Sequence, residues 1–379
     1  MIKPNHIVLT TIREPLLLLD YFENFKKYDV VSSVKIWIVG DKKTPIGVYN
    51  LSNILTKKGL ETIFLDIEKQ ELWGKRFPSF YKKIPYNNET RRNIGYLHAM
   101  EDGCQRMISI DDDNWPSNDD FIDGHLITGS TWSSEIISSN SGFYNYCEKL
   151  KFKPERIIYP RGYPLILRNF KNTIKYKSVR KAKKIGVNMG LWLGDPDIDA
   201  ITWLNGKVES IAYDKKLKYN VLDENTWIPI NTQNTSIVRD LIPAFFCIPM
   251  GWNLPGGKIQ RFGDIWGGYF LQSVLKNTNY NISFGEPIVI HKRNYHNYTD
   301  DLRCEYWGIN ATDWLVDLLK NEFKPKNLNI CDRMSELAFF IKEFSIKSLP
   351  EWNIDGFKEF LIDMSENIFL WSQVCKKIF

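Results

Sequence analysis

The sequence predicts an α/β protein built on a mixed, mainly parallel sheet flanked by helices, with further helices at its C-terminal end. Three observations point there. Short β-rich runs alternate with helical patterns through the first third, each run ends in polar or glycine-rich turn residues, and the last stretch repeats apolar residues at helical spacing.

The elements follow in order. His6-Ile7-Val8-Leu9-Thr10 is a short strand, and the pattern from about Pro15 to Lys27 is helical. Val34 to Val39 forms a second strand, stopped by Gly40-Asp41. Leu51 to Lys58 reads as a short helix closed by Gly59, ahead of a third strand over Thr62-Ile63-Phe64-Leu65. Asn88 is placed to cap a helix from Glu89 to about Asp102, with Gly103 as its terminator. Arg106 to Ile110 is the fourth strand, and Asp111-Asp112-Asp113 follows it directly. In a parallel sheet, ligands bind outside the carboxyl ends of the strands. Thr10 to Arg13, Gly40-Asp41 and the aspartate run are therefore expected on one rim. From Asp119 to Gln260 the order of short strands and turns is not legible. Phe357, Phe360, Leu361, Met364, Ile368, Trp371 and Ile378 form an apolar stripe on a last helix. Core packing is the first reading of that stripe, and peripheral contact with a membrane surface or partner the second. The expected division is a catalytic domain over 1–310 and a helical extension over 311–379.

Composition narrows the function classes. With 43% hydrophobic and 14% aromatic residues the chain is globular. A net charge of +5, with no long basic block and no nucleic-acid motif, is no nucleic-acid signature, and no nucleic-acid partner is expected. Six cysteines without CxxC spacing argue against zinc and disulfides and for a reducing compartment. No secretory leader or 20-residue apolar run is seen, so a cytoplasmic protein, at most peripheral to a membrane, is expected. The absence of GxSxG, HExxH, P-loop and GxGxxG patterns disfavours serine hydrolases, zincins, NTPases and dinucleotide enzymes.

Three consecutive aspartates repel one another unless a cation or several donors neutralise them. Alternation at a strand end lets Asp111 and Asp113 face one ligand while Asp112 turns elsewhere. Hard oxygen donors suit Mg²⁺ or Mn²⁺ shared with substrate phosphates; the alternative is a solvated acidic turn. Arg92, in the helix before this strand, is a candidate for a phosphate or carboxylate contact, whereas Arg91 reads equally as an exposed solubilising residue. Arg161, fixed in Pro160-Arg161-Gly162-Tyr163-Pro164, fits diphosphate or sugar binding, with an exposed turn as the alternative. Asp195, Asp197 and Asp199 alternate and could hold sugar hydroxyls. Asp264 opens an aromatic helix, as a general base for an acceptor hydroxyl or simply as a residue stabilised by the helix N-terminus. His291 closes the apolar run Pro287 to Ile290 and could add a nitrogen ligand to the same metal, with Lys292 and Arg293 near phosphate. His6, His98 and His125 read as structural or surface residues.

Several blocks resemble known families. Val39 to Pro45, Asn87 to Leu97 with Arg92-Asn93-Ile94-Gly95-Tyr96, and the aspartate run are similar to the STELLO-type glycosyltransferases. Pro160-Arg161-Gly162, Gly190-Leu191-Trp192-Leu193, Asp195 to Asp199, the Asp264-Ile265-Trp266-Gly267 helix and the late histidine also resemble the reversibly glycosylated polypeptides, the plant UDP-arabinopyranose mutases. The resemblance implies a GT-A-like nucleotide-diphosphosugar fold, a metal at Asp111 and Asp113 with His291 as third ligand, and Thr11, Arg13 and Asp41 in a nucleotide pocket. One departure is visible. The mutases carry a glycosylated arginine seven residues before the Arg-Gly-Tyr-Pro arginine. Pro154 stands there in this chain, and Arg156 would fill the place only with a two-residue gap.

The leading expectation is a transferase that uses Mn²⁺ or Mg²⁺ to move a sugar from a nucleoside-diphosphate donor to a glycan or lipid-linked acceptor, in surface polysaccharide synthesis. Arg161, Asp197, Asp199 and Asp264 would act catalytically, and Thr11, Arg13, Asp41, Arg92, Asp112 and Asp195 would bind the donor. The alternatives are a pyranose–furanose mutase, which needs no acceptor, and a catalytically silent nucleotide-sugar-binding protein.

Overall fold

The computed structural model describes residues 3–179, 181–214 and 218–379. The central sheet uses four strands from the first third, β1 (Asn5–Thr10), β2 (Val34–Val39), β3 (Glu61–Leu65) and β4 (Arg106–Ile110). Three later ones complete its spine: β5 (Lys183–Gly194), β6 (Asn234–Val238) and β7 (Tyr280–His291). Their order across the sheet is β7-β5-β6-β4-β1-β2-β3. β1 pairs in parallel with β2 and β4, and β2 with β3. β6 runs antiparallel to both β4 and β5, while β5 and β7 are parallel. β6 is thus the one reversed strand of these seven, and the mixed, mainly parallel α/β expectation holds.

The helices α1 (Leu17–Lys27), α2 (Gly47–Lys57) and α3 (Arg92–Glu101) connect the first strands. The Asn88 side chain accepts from the Thr90 amide to start a 3₁₀ turn that leads into α3. Gly103 ends α3 with φ +81°, a conformation glycine adopts without steric cost. Two short helices, Ile67–Gly74 and Pro78–Lys83, were not legible in the sequence, and α2 starts four residues ahead of the expected Leu51.

This order makes the site. The chain leaves β1 toward β2 on one side and reaches β4 on the other, so a crevice opens between the carboxyl ends of β1 and β4. β5 and β7 point the same way as β4, because two successive antiparallel steps restore direction. Asp195 and His291, at the ends of β5 and β7, therefore reach the same rim as Asp111–Asp113.

The final helices are α4 (Gly263–Val274), α5 (Tyr298–Asn321), α6 (Ile330–Lys347) and α7 (Phe357–Ile378). α5 runs unbroken for 24 residues, so the expected boundary at 310/311 falls inside a helix. The α7 stripe faces inward: Phe357, Phe360, Leu361, Met364, Ile368 and Trp371 are buried in one core with the sheet. Trp371 stacks on Phe246 at 5.0 Å and donates its indole N–H to the Pro243 carbonyl at 2.7 Å. The first reading of the stripe, core packing, therefore holds for these six residues. Among the described residues no helix is long and apolar enough to cross a membrane.

Candidate active site

A cleft of about 380 Å³ lies at the β1–β4 crevice, lined by Thr11, Arg13, Asp41, Asn88, Arg92, Asp111, Asp112, Asp113 and Arg261 among others. Each aspartate of the run has its own partner. Asp111 accepts from Arg92 Nη2 at 2.6 Å. Asp112 accepts from the Thr11 hydroxyl at 2.6 Å and lies 3.4 Å from Arg13 Nε. Asp113 accepts from the Asn294 amide at 3.1 Å and faces His291 Nε2 at 3.5 Å. Asp41 accepts from the Lys42 and Asn88 amides, which fixes the turn after β2.

Burial dominates the electrostatics of the run and by itself would raise all three carboxyls. Asp111 does end above its ordinary value, because Asp113 and Asp264 add to burial against the opposing charge of Arg92. Asp112 is raised as well, by burial, with Thr11 and Arg13 opposing. Asp113 moves the other way, since the hydrogen bond and charge of His291, with Arg13 and Arg293, outweigh burial. His291 is raised in turn, with Asp113 overcoming the effect of burial.

His291 Nδ1 lies 2.6 Å from the Asp195 carbonyl, which can only accept, so Nδ1 carries a proton and Nε2 is the atom turned to Asp113. An imidazole oriented by a backbone carbonyl, with its other nitrogen beside a carboxylate, is the usual arrangement of a metal-binding histidine. A divalent cation held between them would take the place of a proton on Nε2. Asp113, His291 and the free oxygen of Asp111 are therefore a donor set compatible with Mg²⁺ or Mn²⁺. Among the described residues no three such side chains form a ready-made cage.

Just beyond the cleft lining sits a second charged cluster. Arg161, 11% exposed, donates to Asp197 (Nε, 2.8 Å), to Asp264 (Nη2, 3.0 Å; Nη1, 3.1 Å) and to the Arg261 carbonyl. Asp197 also accepts from Asn231 at 2.8 Å and ends below the ordinary carboxylate range, Arg161 outweighing burial. Gly162 turns the chain with φ +79° where any Cβ would run into Ile265. Arg161 is thus an internal clamp between two carboxylates, with its N–H groups already taken.

The other candidates separate. Asp195 accepts from the Arg293 amide at 2.9 Å and its carbonyl orients His291, so it shapes the site. Asp199 lies outside the cleft lining: it caps the short helix Ala200–Leu204 through Thr202 and pairs with Arg168. Arg92 is buried, its remaining N–H groups held by Thr232, Ser109 and the Glu89 carbonyl, and serves to position Asp111. Arg91 is buried on Gln70 and Tyr81 rather than solubilising. Lys292 covers the Trp115 ring, and Arg293 pairs with Asp301. Arg156 donates to the carbonyls of Asn205 and Gly206, beside a separate cavity of about 620 Å³ lined by Cys147, Phe152, Ile158 and Ile211. Arg261, Asn294 and Thr232 were missed, because each comes from a loop whose approach to β4 carries no local sequence signal.

Plant relatives include UDP-arabinopyranose mutase 1 of Oryza sativa subsp. japonica, 26% identical over 268 residues, covering 69% of this chain and 65% of that protein. UDP-arabinopyranose mutase 1 of Arabidopsis thaliana is 29% identical over 271 residues, covering 69% and 67%. The probable glycosyltransferase STELLO1 of Arabidopsis thaliana is 24% identical over 230 residues, covering 56% of this chain and 28% of that protein. The chain therefore spans about two thirds of the length of the mutases and a much smaller share of STELLO1. Among solved structures, S. aureus TarS 1–349 in complex with UDP-GlcNAc overlays with a TM-score of 0.45 at 9% identity, covering 98% of this chain and 90% of that one. The family model described as "Reversibly glycosylated polypeptide" matches residues 6–375, so the second of the two resemblances is the better supported. The chain belongs to the reversibly glycosylated polypeptide family.

Proposed function

We propose that the protein is a nucleotide-sugar mutase of GT-A-like fold, which interconverts the pyranose and furanose forms of a sugar held on a nucleoside diphosphate. The observation that carries this is the cleft at the β1–β4 crevice, with an acidic run beside buried, clamped carboxylates, in a chain of this family. The relatives' names shift the weight from transfer, the leading expectation from sequence, to isomerisation. In the chemistry proposed, the bond between sugar C1 and the diphosphate oxygen breaks with its electron pair going to oxygen. The hydroxyl that becomes the new ring oxygen attacks C1 and releases its proton to a carboxylate of the site. The old bond from C1 to the ring oxygen breaks with that oxygen taking the proton back, and the diphosphate oxygen re-forms its bond to C1. Positive charge develops at the sugar and negative charge on the diphosphate. Asp197, held ionised by Arg161, favours the first. Asp113 and His291, with Asp111, would hold Mg²⁺ or Mn²⁺, which when bound supplies charge to the diphosphate. Thr11, Arg13, Asp41 and Asp112 form the nucleoside side of the cleft. Asp195 sets His291, and Asp264 completes the Arg161 clamp at the sugar end.

Transfer to a glycan or lipid-linked acceptor stays as a second reading, because Pro154 stands where the mutases carry their glycosylated arginine. The test is incubation of purified protein with UDP-arabinopyranose and Mn²⁺, followed by NMR of the sugar ring. Ring isomer formed without acceptor is the expected result. Turnover only with added acceptor favours transfer, and binding without any turnover favours a silent scaffold. A thermal-shift panel of UDP-sugars with and without Mn²⁺ accompanies it. No shift in the wild type, or a metal-independent shift that survives both Asp111→Asn and Asp113→Asn, overturns the nucleotide-sugar reading.

A further inference from the structure

Arginines crowd this site, yet most have every guanidinium nitrogen engaged by the protein. Arg91, Arg92 and Arg161 are buried, and in each Nε, Nη1 and Nη2 all donate to protein oxygens. Arg13 is 48% exposed at the outer lip and is shared between Asp112 and Asn294. Arg261 is different. It lines the cleft together with Asp111–Asp113, and its side chain is 29% exposed. Its Nε donates to Glu305 at 3.0 Å, and Nη1 lies 3.5 Å from Asp301. Nη2 makes no hydrogen bond among the described residues, so the outer edge of the fork stays open.

Its backbone is also unusual. Arg261 has φ +62°, a region that costs a non-glycine residue about 1 kcal/mol or more and that persists where the surroundings force it. Here the surroundings do so from both sides. Arg161 grips the Arg261 carbonyl, and Glu305, fully buried and also bound to the Ala200 amide, grips its guanidinium. Asp301 and Glu305 lie one turn apart on α5, so a rigid helix aims the side chain. A strained, doubly anchored cation with an unengaged Nη2, lining the cleft beside three aspartates, fits a phosphate oxygen as its acceptor.

Position along the cleft tells which phosphate. Thr11, Arg13 and Asp41 lie toward β1 and β2, the nucleoside side. Arg261 is three residues before Asp264, on the side of the Arg161 clamp and the sugar. We propose that Arg261 binds the sugar-linked β-phosphate of the nucleoside diphosphate, donating hydrogen bonds to the oxygen that takes the electron pair when the C1–O bond breaks, with Glu305 as its positioning residue. This rests on the nucleotide-sugar reading above.

The test compares UDP with UMP, which lacks that phosphate, by isothermal titration calorimetry in the presence of Mn²⁺. Asparagine tolerates positive φ, so Arg261→Asn keeps the turn while removing the fork. The expected result is about a 10- to 100-fold loss of UDP affinity, as for a charge-assisted pair, with UMP affinity changed less than about twofold. Glu305→Gln is expected to lower the UDP-to-UMP preference in the same direction by a smaller factor. That ratio is read within one protein, so a change in the folded fraction does not move it. Equal loss for both nucleotides in Arg261→Asn, or no loss for UDP, overturns the assignment while leaving the nucleotide-sugar reading intact. A wild type that binds neither nucleotide overturns both.

Discussion

Arg161→Gln tests whether the Arg161 cluster is a structural clamp or a ligand-binding arm. The substitution leaves Asp197 and Asp264 without their cation, while Asn231 still donates to Asp197 and Asp264 stays in the first turn of α4. Removing one partner of a buried pair costs about 3–5 kcal/mol. Protonation sets a ceiling: neutralising one carboxyl of ordinary pKa 3.8 at pH 7 costs about 4 kcal/mol. A loss of roughly 3–5 kcal/mol at pH 7 is therefore expected. The sign with pH follows. Asp197 sits below its ordinary value in the wild type, so its contribution is present above the unfolded pKa and fades as pH falls. In the variant, burial, the largest influence, is opposed only by Asn231 and His291 and raises it, so the variant loses less as pH drops. At pH 5 the same ceiling is about 1.6 kcal/mol per carboxyl. The assay is urea unfolding followed by tryptophan fluorescence at pH 7 and pH 5. A loss below about 1 kcal/mol at pH 7, or one that grows toward pH 5, refutes the clamp. Unchanged stability with lost UDP-sugar binding would instead return Arg161 to the ligand-binding role expected from sequence.

Three further outcomes are expected. Burial holds the His125 imidazole down at about 4; Nε2 bonds Asn234 and Nδ1 bonds Asn188, so protonating Nδ1 would set donor against donor. Its contribution is whole above pH 6.5 and lost as pH falls through 4, up to about 3 kcal/mol, and His125→Gln should flatten the stability profile over that range; identical profiles for variant and wild type would count against it. Gly162→Ala places a Cβ against Ile265 at positive φ, so a loss of about 2–4 kcal/mol in urea is expected, and a neutral result would mean that α4 can slide. Trp371→Ala empties the contact with Phe246 and orphans the Pro243 carbonyl, at about 3–5 kcal/mol; loss confined to C-terminal proteolysis, with the nucleotide cleft still binding, would show that α7 unfolds independently.

Local pattern carried the parallel half of the fold. β1 to β4 were legible because each is a short apolar run between turn residues, and parallel strands buried on both faces show that pattern plainly. The rim that gathers Thr11, Asp41 and Asp111–Asp113 followed from strand direction alone, as did the pairing of His291 with Asp113 once β7 was known to run parallel to β5. The region from 119 to 260 stayed opaque because its elements are held by long-range pairing, such as β6 between β4 and β5, which no local period announces. The same limit governs the arginines. Sequence shows that Arg92, Arg161 and Arg261 are cations near turns. Which of them has every guanidinium nitrogen engaged and which keeps Nη2 open depends on partners 19 to 103 residues away, and therefore on the tertiary fold.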